Sequence, residues 1–98
     1  MVIERVELSV VAGREADFET AMQRGSALLK AATGCLSVTL ARGVERPSCY
    51  LLMIKWRSMD DHTAFTRSDD LPRFRQLAGP YFAERPAMEH FAPVIEVD

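Results

Sequence analysis

The chain has 98 residues, of which 48% are hydrophobic and 27% are charged, and this composition is typical of one soluble globular domain spanning residues 1–98. A formal net charge of −2 lacks the concentrated positive field that nucleic acid or an anionic membrane surface requires of a partner. No apolar run approaches the ~20 residues that cross a bilayer, and the N-terminus has no apolar signal core, so we expect a cytoplasmic protein.

The first half of the chain predicts a strand, a helix and a second strand. Residues 2–11 alternate between two faces, with charged Glu4 as the exception on the apolar face. From Arg14 the apolar period changes to 3.6 residues, which predicts an amphipathic helix that ends near Gly34. Residues 35–42 alternate again and form a half-buried strand. Its predicted inward-facing residues are Leu36, Val38 and Leu40.

The second half predicts a strand, two short helices and a last strand. Residues 49–54 are apolar without alternation, which indicates a strand covered on both faces. Ser58 and Asp61 resemble a capping box, so a helix begins near Met59. Asp69 or Asp70 caps another helix, which ends at Gly79-Pro80, and the segment from Met88 to Val97 is the last strand. The residues assigned to one face of the third strand are Tyr50, Leu52, Ile54 and Trp56.

This order, β-α-β-β-α-β, predicts an α+β ferredoxin-like sandwich: a four-stranded antiparallel sheet with its helices on one face. Leu51 and Met53 then point to the open face, where the chain itself supplies no cover. A second copy packed face to face would cover them, so we expect a homodimer. Cys35 and Cys49 lie about seven strand residues apart on one hairpin, too far for a disulfide, and both thiols are expected to be free.

Short motifs along the chain resemble the antibiotic biosynthesis monooxygenase family. The segments that carry the resemblance are residues 13–18 (GREADF), 34–38 (GCLSV), 56–58 (WRS), Asp61-His62 with Phe65, and 89–94 (EHFAPV). The resemblance extends over nearly the whole chain and implies a dimeric α+β barrel. It also implies a cofactor-independent oxygenase that oxidises a quinol, anthrone or other polyphenolic aromatic with O2, and uses no metal, flavin or nicotinamide. The sequence itself contains no glycine-rich phosphate loop, Cys-x-x-Cys or His-x-x-x-His motif.

Five residues are candidates for the site. His62, in the first turn of a helix, is the proposed catalytic base, with an ordinary pKa of about 6.5. Trp56, Tyr50, Phe65 and Tyr81 are the proposed substrate-binding residues, as aromatic walls or hydrogen-bond donors. Each also has a structural interpretation: a hydrogen-bonded histidine at a helix start, a core tryptophan, and tyrosines that pack at a sheet edge or helix end.

Other polar residues are interpreted structurally. His90 begins the inner face of the last strand and is assigned to the dimer contact. Three arginines near Asp69 and Asp70 are assigned to a solvated surface of compensating charges, and they are Arg67, Arg73 and Arg75. The chain contains no asparagine, and Thr66 or a neighbour occupies the position of the histidine ligand in the family's haem degraders, which disfavours haem degradation.

Two other functions remain open at this point. One is a non-catalytic dimeric module that binds a small hydrophobic ligand or a protein partner. The other is an isomerase of the same fold acting on a small phosphorylated or keto substrate. The sequence offers no clear cationic cluster facing the pocket, which is evidence against the isomerase.

Overall fold

A computed structural model describes residues 1–98. Its elements, in chain order, are β1 (Val2–Ser9), α1 (Glu15–Lys30), β2 (Cys35–Arg42), β3 (Cys49–Trp56), α2 (Met59–Thr66), α3 (Asp70–Ala78), a 3₁₀ turn (Gly79–Tyr81) and β4 (Ala87–Phe91). The strands form one sheet in the order β2-β3-β1-β4, and every neighbouring pair is antiparallel. The predicted ferredoxin-like α+β fold is confirmed. No helix is both long enough and apolar enough to cross a membrane.

The inner face of the sheet and the helices enclose the core. Alternate residues of the two central strands, β1 and β3, are buried, as the period-2 pattern predicts. The apolar stripe of α1 packs on them through Phe18, Met22 and Leu29, each at most 2% exposed. The buried residues of the central strands are Glu4, Val6, Leu8, Tyr50, Leu52, Ile54 and Trp56.

The edge strand β2 departs from the predicted alternation at its start. Cys35 pairs with Trp56 and Ser37 with Lys55, so a bulge inserts one extra residue between them. Leu36 is that residue and is half exposed, so its predicted place on the inner face is wrong. Cys35 and Cys49 lie at opposite ends of the β2–β3 hairpin and are free, as expected.

The connection between β3 and α2 is held by a polar cluster. The Ser58 hydroxyl accepts the backbone N–H of Asp61, which confirms the predicted cap. Arg57 holds the Asp61 carboxylate through two hydrogen bonds of 2.9 Å, and the guanidinium lowers the pKa of that carboxyl. Gly34 packs against this carboxylate with a φ of +81°, so a side chain there would meet both backbone strain and Asp61. The cluster therefore fixes the start of α2.

The last strand is shorter than predicted. β4 ends at Phe91, where it pairs with Ile3. Pro93 lacks the N–H that a continuing ladder needs. Three residues predicted to extend the strand are at least 83% exposed: Val94, Ile95 and Val97. The extension of the strand to Val97 is therefore wrong.

The outer face of the sheet carries no helix and mixes apolar with charged side chains. Near its middle lie half-buried Leu51 and Met53, as predicted, and Phe91 is 47% exposed. Around them Arg5 pairs with Glu89 at 3.2 Å. This face is where the chain leaves apolar surface unpartnered.

Candidate active site

The site begins with a buried carboxylate on the inner face of the sheet. Glu4, the exception in the alternation of β1, is only 7% exposed. One of its oxygens accepts the indole N–H of Trp56 at 2.8 Å and lies 3.4 Å from Nε2 of His62. A buried carboxylate needs such partners, because an unpartnered one costs several kcal/mol, on the order of 3–5. Glu4 is therefore held in place by Trp56 of β3, and His62 of α2 lies beside it.

His62 reaches this carboxylate from the first turn of α2. The imidazole is 7% exposed and packs edge-on against Trp56, with ring centroids 5.6 Å apart. Burial lowers the pKa of His62 below its ordinary 6.5, while the Glu4 charge acts in the opposite direction and the His90 charge adds to the lowering. The ring is therefore neutral near pH 7 and retains a lone pair that can accept a proton.

His90 completes the cluster from β4. It is paired with Glu4 across the β1–β4 ladder, and its ring centroid lies 4.4 Å from that of His62. Its Nε2 atom is buried and has no hydrogen-bond partner. The side chain thus lies inside the protomer and not on the outward face of the sheet, so its assignment to the dimer contact is wrong.

A cavity of about 530 Å³ opens between the sheet and α3, and Glu4 is on its wall. Ten of its 15 lining residues are hydrophobic, which suits a ligand with a large apolar surface. Phe65 lines the same cavity and packs at a tilt against Trp56, with a centroid distance of 5.7 Å. Glu4 is the one carboxylate on this wall, with Trp56 and His62 directly behind it.

Tyr50 lies elsewhere on the inner face. Its hydroxyl donates to Glu19 of α1, at a separate pocket of about 330 Å³ lined also by Arg42. Burial and the bond to Glu19 raise the pKa of Tyr50 to about 12. Its ring contacts Phe18 at 4.9 Å. The structure therefore does not bring this hydroxyl together with His62.

Tyr81 lies in the 3₁₀ turn and is half-buried. Its ring is 6.4 Å from that of Phe18, and the Arg14 guanidinium lies over it at 4.9 Å. The next residue, Phe82, is the one that lines the cavity. Of the five predicted site residues, the structure thus groups His62, Trp56 and Phe65 and places the two tyrosines outside this cavity.

The arginines near the α3 start have different surroundings. Arg73 pairs with Asp70 at 3.0 Å, as the compensated surface predicts. Arg75 makes no ion pair and lines the cavity, together with Arg85. Arg75 is solvated as expected but is not compensated, and two arginines line the cavity although the sequence offered no clear cationic cluster there.

Glu4 and His90 are the two members of the site that sequence reasoning missed. Glu4 was visible as a charge on an otherwise apolar strand face, which signals a buried partner. Its partners Trp56 and His62 lie more than 50 residues along the chain, so only the sheet register brings them together. His90 carried no comparable signal.

Three side chains of the cluster could hold a metal ion. Ligand atoms of Glu4, His62 and His90 all lie within 4.8 Å of one another. Two imidazoles and one carboxylate form a donor set that suits first-row divalent metals. The absence of a His-x-x-x-His motif does not exclude such a set, because the two histidines come from α2 and β4. Tests of activity therefore need a control in which a chelator removes any bound metal ion.

The lowered pKa of His62 predicts a pH-dependent stability. Below pH 6.5 His62 becomes protonated in the unfolded chain. In the folded chain it stays neutral until the pH reaches its lower pKa. The free energy of unfolding should therefore fall as the pH drops below about 6.5. Urea unfolding at several pH values between 7.5 and 5 measures this fall.

A His62→Phe variant should lose most of this slope, because phenylalanine does not titrate. The low pKa of Asp61 affects stability only near and below its ordinary value of 3.8, outside this window. Equal slopes in the two proteins between pH 7.5 and 5 would contradict the burial of a neutral His62.

Comparison with known proteins shows the family. The profile of the antibiotic biosynthesis monooxygenase family matches residues 1–77. An uncharacterised protein of Bacillus subtilis, YczJ, is 28% identical over 95 residues, which are 96% of this chain and 100% of that protein. The match thus spans both proteins almost from end to end.

Solved structures agree with this match. A candidate antibiotic biosynthesis monooxygenase from Bordetella bronchiseptica is 37% identical, with a TM-score of 0.90 over 96% of this chain and 97% of that chain. SnoaB from Streptomyces nogalater, described as a cofactor-independent oxygenase, has a TM-score of 0.86 at 17% identity and covers 98% of this chain and 95% of its own. At that identity the second likeness concerns the fold alone. The chain belongs to the antibiotic biosynthesis monooxygenase family.

Proposed function

We propose that this protein is a cofactor-independent monooxygenase that oxidises a quinol, anthrone or other polyphenolic aromatic with O2. The observation that carries the proposal is Glu4 on the wall of a largely apolar cavity of about 530 Å³, with buried His62 3.4 Å behind its carboxylate. Membership of the antibiotic biosynthesis monooxygenase family supports the same activity. Aromatic substrates of this type are themselves electron-rich once deprotonated, so the protein needs mainly a base and a dry site.

In the proposed reaction, the substrate loses its proton to the Glu4–His62 pair. Glu4 faces the cavity and His62 accepts the proton on its neutral ring, where the nearby carboxylate stabilises the imidazolium. The Trp56 N–H holds the carboxylate in place throughout. His62 is thus the base and Trp56 a positioning residue.

The deprotonated substrate then transfers electrons to O2, and a carbon–oxygen bond forms. For an anthrone, the ring CH₂ group loses two hydrogens and gains one oxygen atom as a carbonyl. The second oxygen atom leaves as water, and the proton on His62 goes to that leaving oxygen. Substrate and O2 therefore balance product and water without an external reductant.

Of the remaining candidates, Phe65 forms part of the substrate wall, because it lines the cavity next to Trp56. Tyr50 and Tyr81 lie outside the cavity: both contact Phe18, whose ring is 6.3 Å from the cavity residue Phe82. In this proposal neither tyrosine touches the substrate.

Oxygen uptake tests the proposed activity. The protein, first treated with EDTA and desalted, is mixed with a panel of dihydroquinones and anthrones in an oxygen electrode. Uptake that depends on protein and substrate and survives the chelator supports the proposal. Tight binding of the same aromatics without uptake contradicts it and favours a non-catalytic binding module. Uptake that is lost with EDTA and restored by a divalent metal contradicts cofactor independence.

We also propose that two chains pack through the outer sheet face to form a dimeric barrel. Leu51 and Met53 are half-buried and Phe91 is about half exposed on a face that no helix covers. The cavity lies on the opposite face of the sheet, so each protomer would keep its own site. Glu4 and His62 would not depend on the partner for their contacts.

Met53→Asp should disrupt this dimer, because it places a charge at the centre of the buried patch. Analytical ultracentrifugation at micromolar protein should find a species of twice 11.0 kDa for the wild type and a shift towards the monomer for the variant. Val44→Asp is the matched control, since Val44 is 88% exposed in the β2–β3 loop. A wild-type chain that sediments only as a monomer would refute the dimer.

A further inference from the structure

Two arginines face the cavity without a counterion. Arg75 on α3 and Arg85, shortly before β4, both line its wall. Neither takes part in an ion pair or a side-chain hydrogen bond. Of the other eight arginines six do, and the two that do not, Arg24 and Arg67, lie away from the cavity. Two guanidinium groups beside one apolar cavity therefore have no negative partner within the chain.

The two kinds of charge lie at different places along the cavity. The backbone N–H of Ala83 donates to Ser9 at 2.7 Å, which places the following Arg85 beside the C-terminal end of β1. Glu4 lies five residues before Ser9 on the same strand, which corresponds to about 17 Å of extended chain. The wall between them is mostly apolar and includes Val6 and Leu8.

We propose that the substrate carries an anionic group, a carboxylate, which Arg75 and Arg85 bind while the aromatic ring system extends along the apolar wall towards Glu4. This inference rests on the proposed function for the identity of the ring system. The guanidinium fork matches a carboxylate through paired hydrogen bonds, and such charge-assisted bonds are among the stronger polar contacts.

The same charges fix the orientation of the substrate. The Glu4 carboxylate repels an anionic group, so the carboxylate of the ligand is excluded from the inner end of the cavity. The ring with the acidic proton is then the part that reaches Glu4 and His62. Arg75 and Arg85 are thus binding residues that determine substrate class, and they are remote from the proton transfer.

A matched pair of ligands tests this inference. Anthraquinone-2-carboxylate and anthraquinone-2-carboxamide have the same ring system and differ in charge, and neither can donate electrons to O2. Their affinities are measured by titration calorimetry at pH 7.5. We expect the wild-type protein to bind the carboxylate about tenfold more tightly. This preference should shrink at high salt, because Arg75 and Arg85 are solvent-exposed.

The double variant Arg75→Gln/Arg85→Gln should lose the preference. The control is Arg24→Gln/Arg67→Gln, which removes the same two charges at exposed arginines away from the cavity and should keep it. Equal affinities for the two ligands in the wild type, no detectable binding of the carboxylate, or a preference that persists in the cavity variant would each overturn the inference.

This readout does not depend on turnover. A protein that oxidises quinols but binds the two anthraquinones equally keeps the proposed function and loses the anion subsite. A protein that prefers the carboxylate but consumes no oxygen keeps the subsite and loses the monooxygenase activity. The two proposals therefore fail separately.

Discussion

His62→Phe should lower the rate of oxygen uptake by about 100-fold or more, with substrate binding largely retained. The reason is that general-base catalysis contributes about 10²–10⁴-fold, and Glu4 alone would then have no neutral ring beside it to take the proton. Because burial lowers the pKa of His62, the wild-type rate should hold on acidification to about pH 6.5 and fall only below it. The measurements are uptake rates from pH 5 to 8 and a binding isotherm at pH 7.5.

Met22→Val serves as the control for a disturbed core. Met22 is 2% exposed and lies on α1 outside the cavity. Shortening this side chain therefore lowers the stability of the protein without changing Glu4, His62 or Trp56. Its uptake rate should stay close to that of the wild type at temperatures where both proteins are folded. A His62→Phe protein that keeps the full rate would remove His62 from the mechanism.

Trp56→Ala should lower the free energy of unfolding by about 3–5 kcal/mol. Trp56 is fully buried and is among the largest side chains of the core, so its loss leaves a cavity next to Phe65 and His62. That cost is a large share of the about 5–15 kcal/mol that stabilises a typical domain. Urea unfolding followed by circular dichroism measures it.

Trp56→Phe separates the indole N–H from the volume of the ring. This variant leaves the Glu4 carboxylate buried with its hydrogen bond removed, and we expect a loss of about 1–3 kcal/mol. In a Glu4→Leu background the same change should cost less, because there is no carboxylate to leave unpaired. If Trp56→Phe lowers the free energy of unfolding equally in both backgrounds, the loss comes from packing and not from the hydrogen bond to Glu4.

The elements that sequence reasoning located correctly depend on local information. The 3.6-residue stripe of α1 and the Ser58 cap of α2 are each determined within a few neighbouring residues, and both appear in the structure as predicted. The apolar run of β3 likewise predicted a strand with apolar side chains on both faces, one of them without a helix. The ferredoxin-like order followed from these elements.

The features that could not be predicted from the sequence depend on distant parts of the chain. β4 pairs with β1 only from Ala87 to Phe91, and the apolar pattern after Phe91 does not show where this pairing ends. The bulge at Leu36 is a property of the β2–β3 register and leaves no trace in the alternation of β2 itself. Arg75 lies close to two acidic residues in sequence, yet it lies on the cavity wall of the folded chain.

The candidate site also depends on contacts between distant parts of the chain. His62 could be proposed from its position at a helix start, but its proton-accepting state depends on Glu4, Trp56 and His90, which three different strands contribute. Periodicity assigns each of them to a face of the sheet and gives no distances. Only the register across β1, β3 and β4 shows that they meet.

The contact between Gly34 and Asp61 ties the catalytic proposal to a residue with no chemistry of its own. Asp61 directly precedes His62, and a methyl group at position 34 would displace the carboxylate that anchors this turn. A library of variants selected only for turnover should therefore reject every other amino acid at position 34. Tolerance there would show that the protein keeps the His62 imidazole in position without the Asp61 contact.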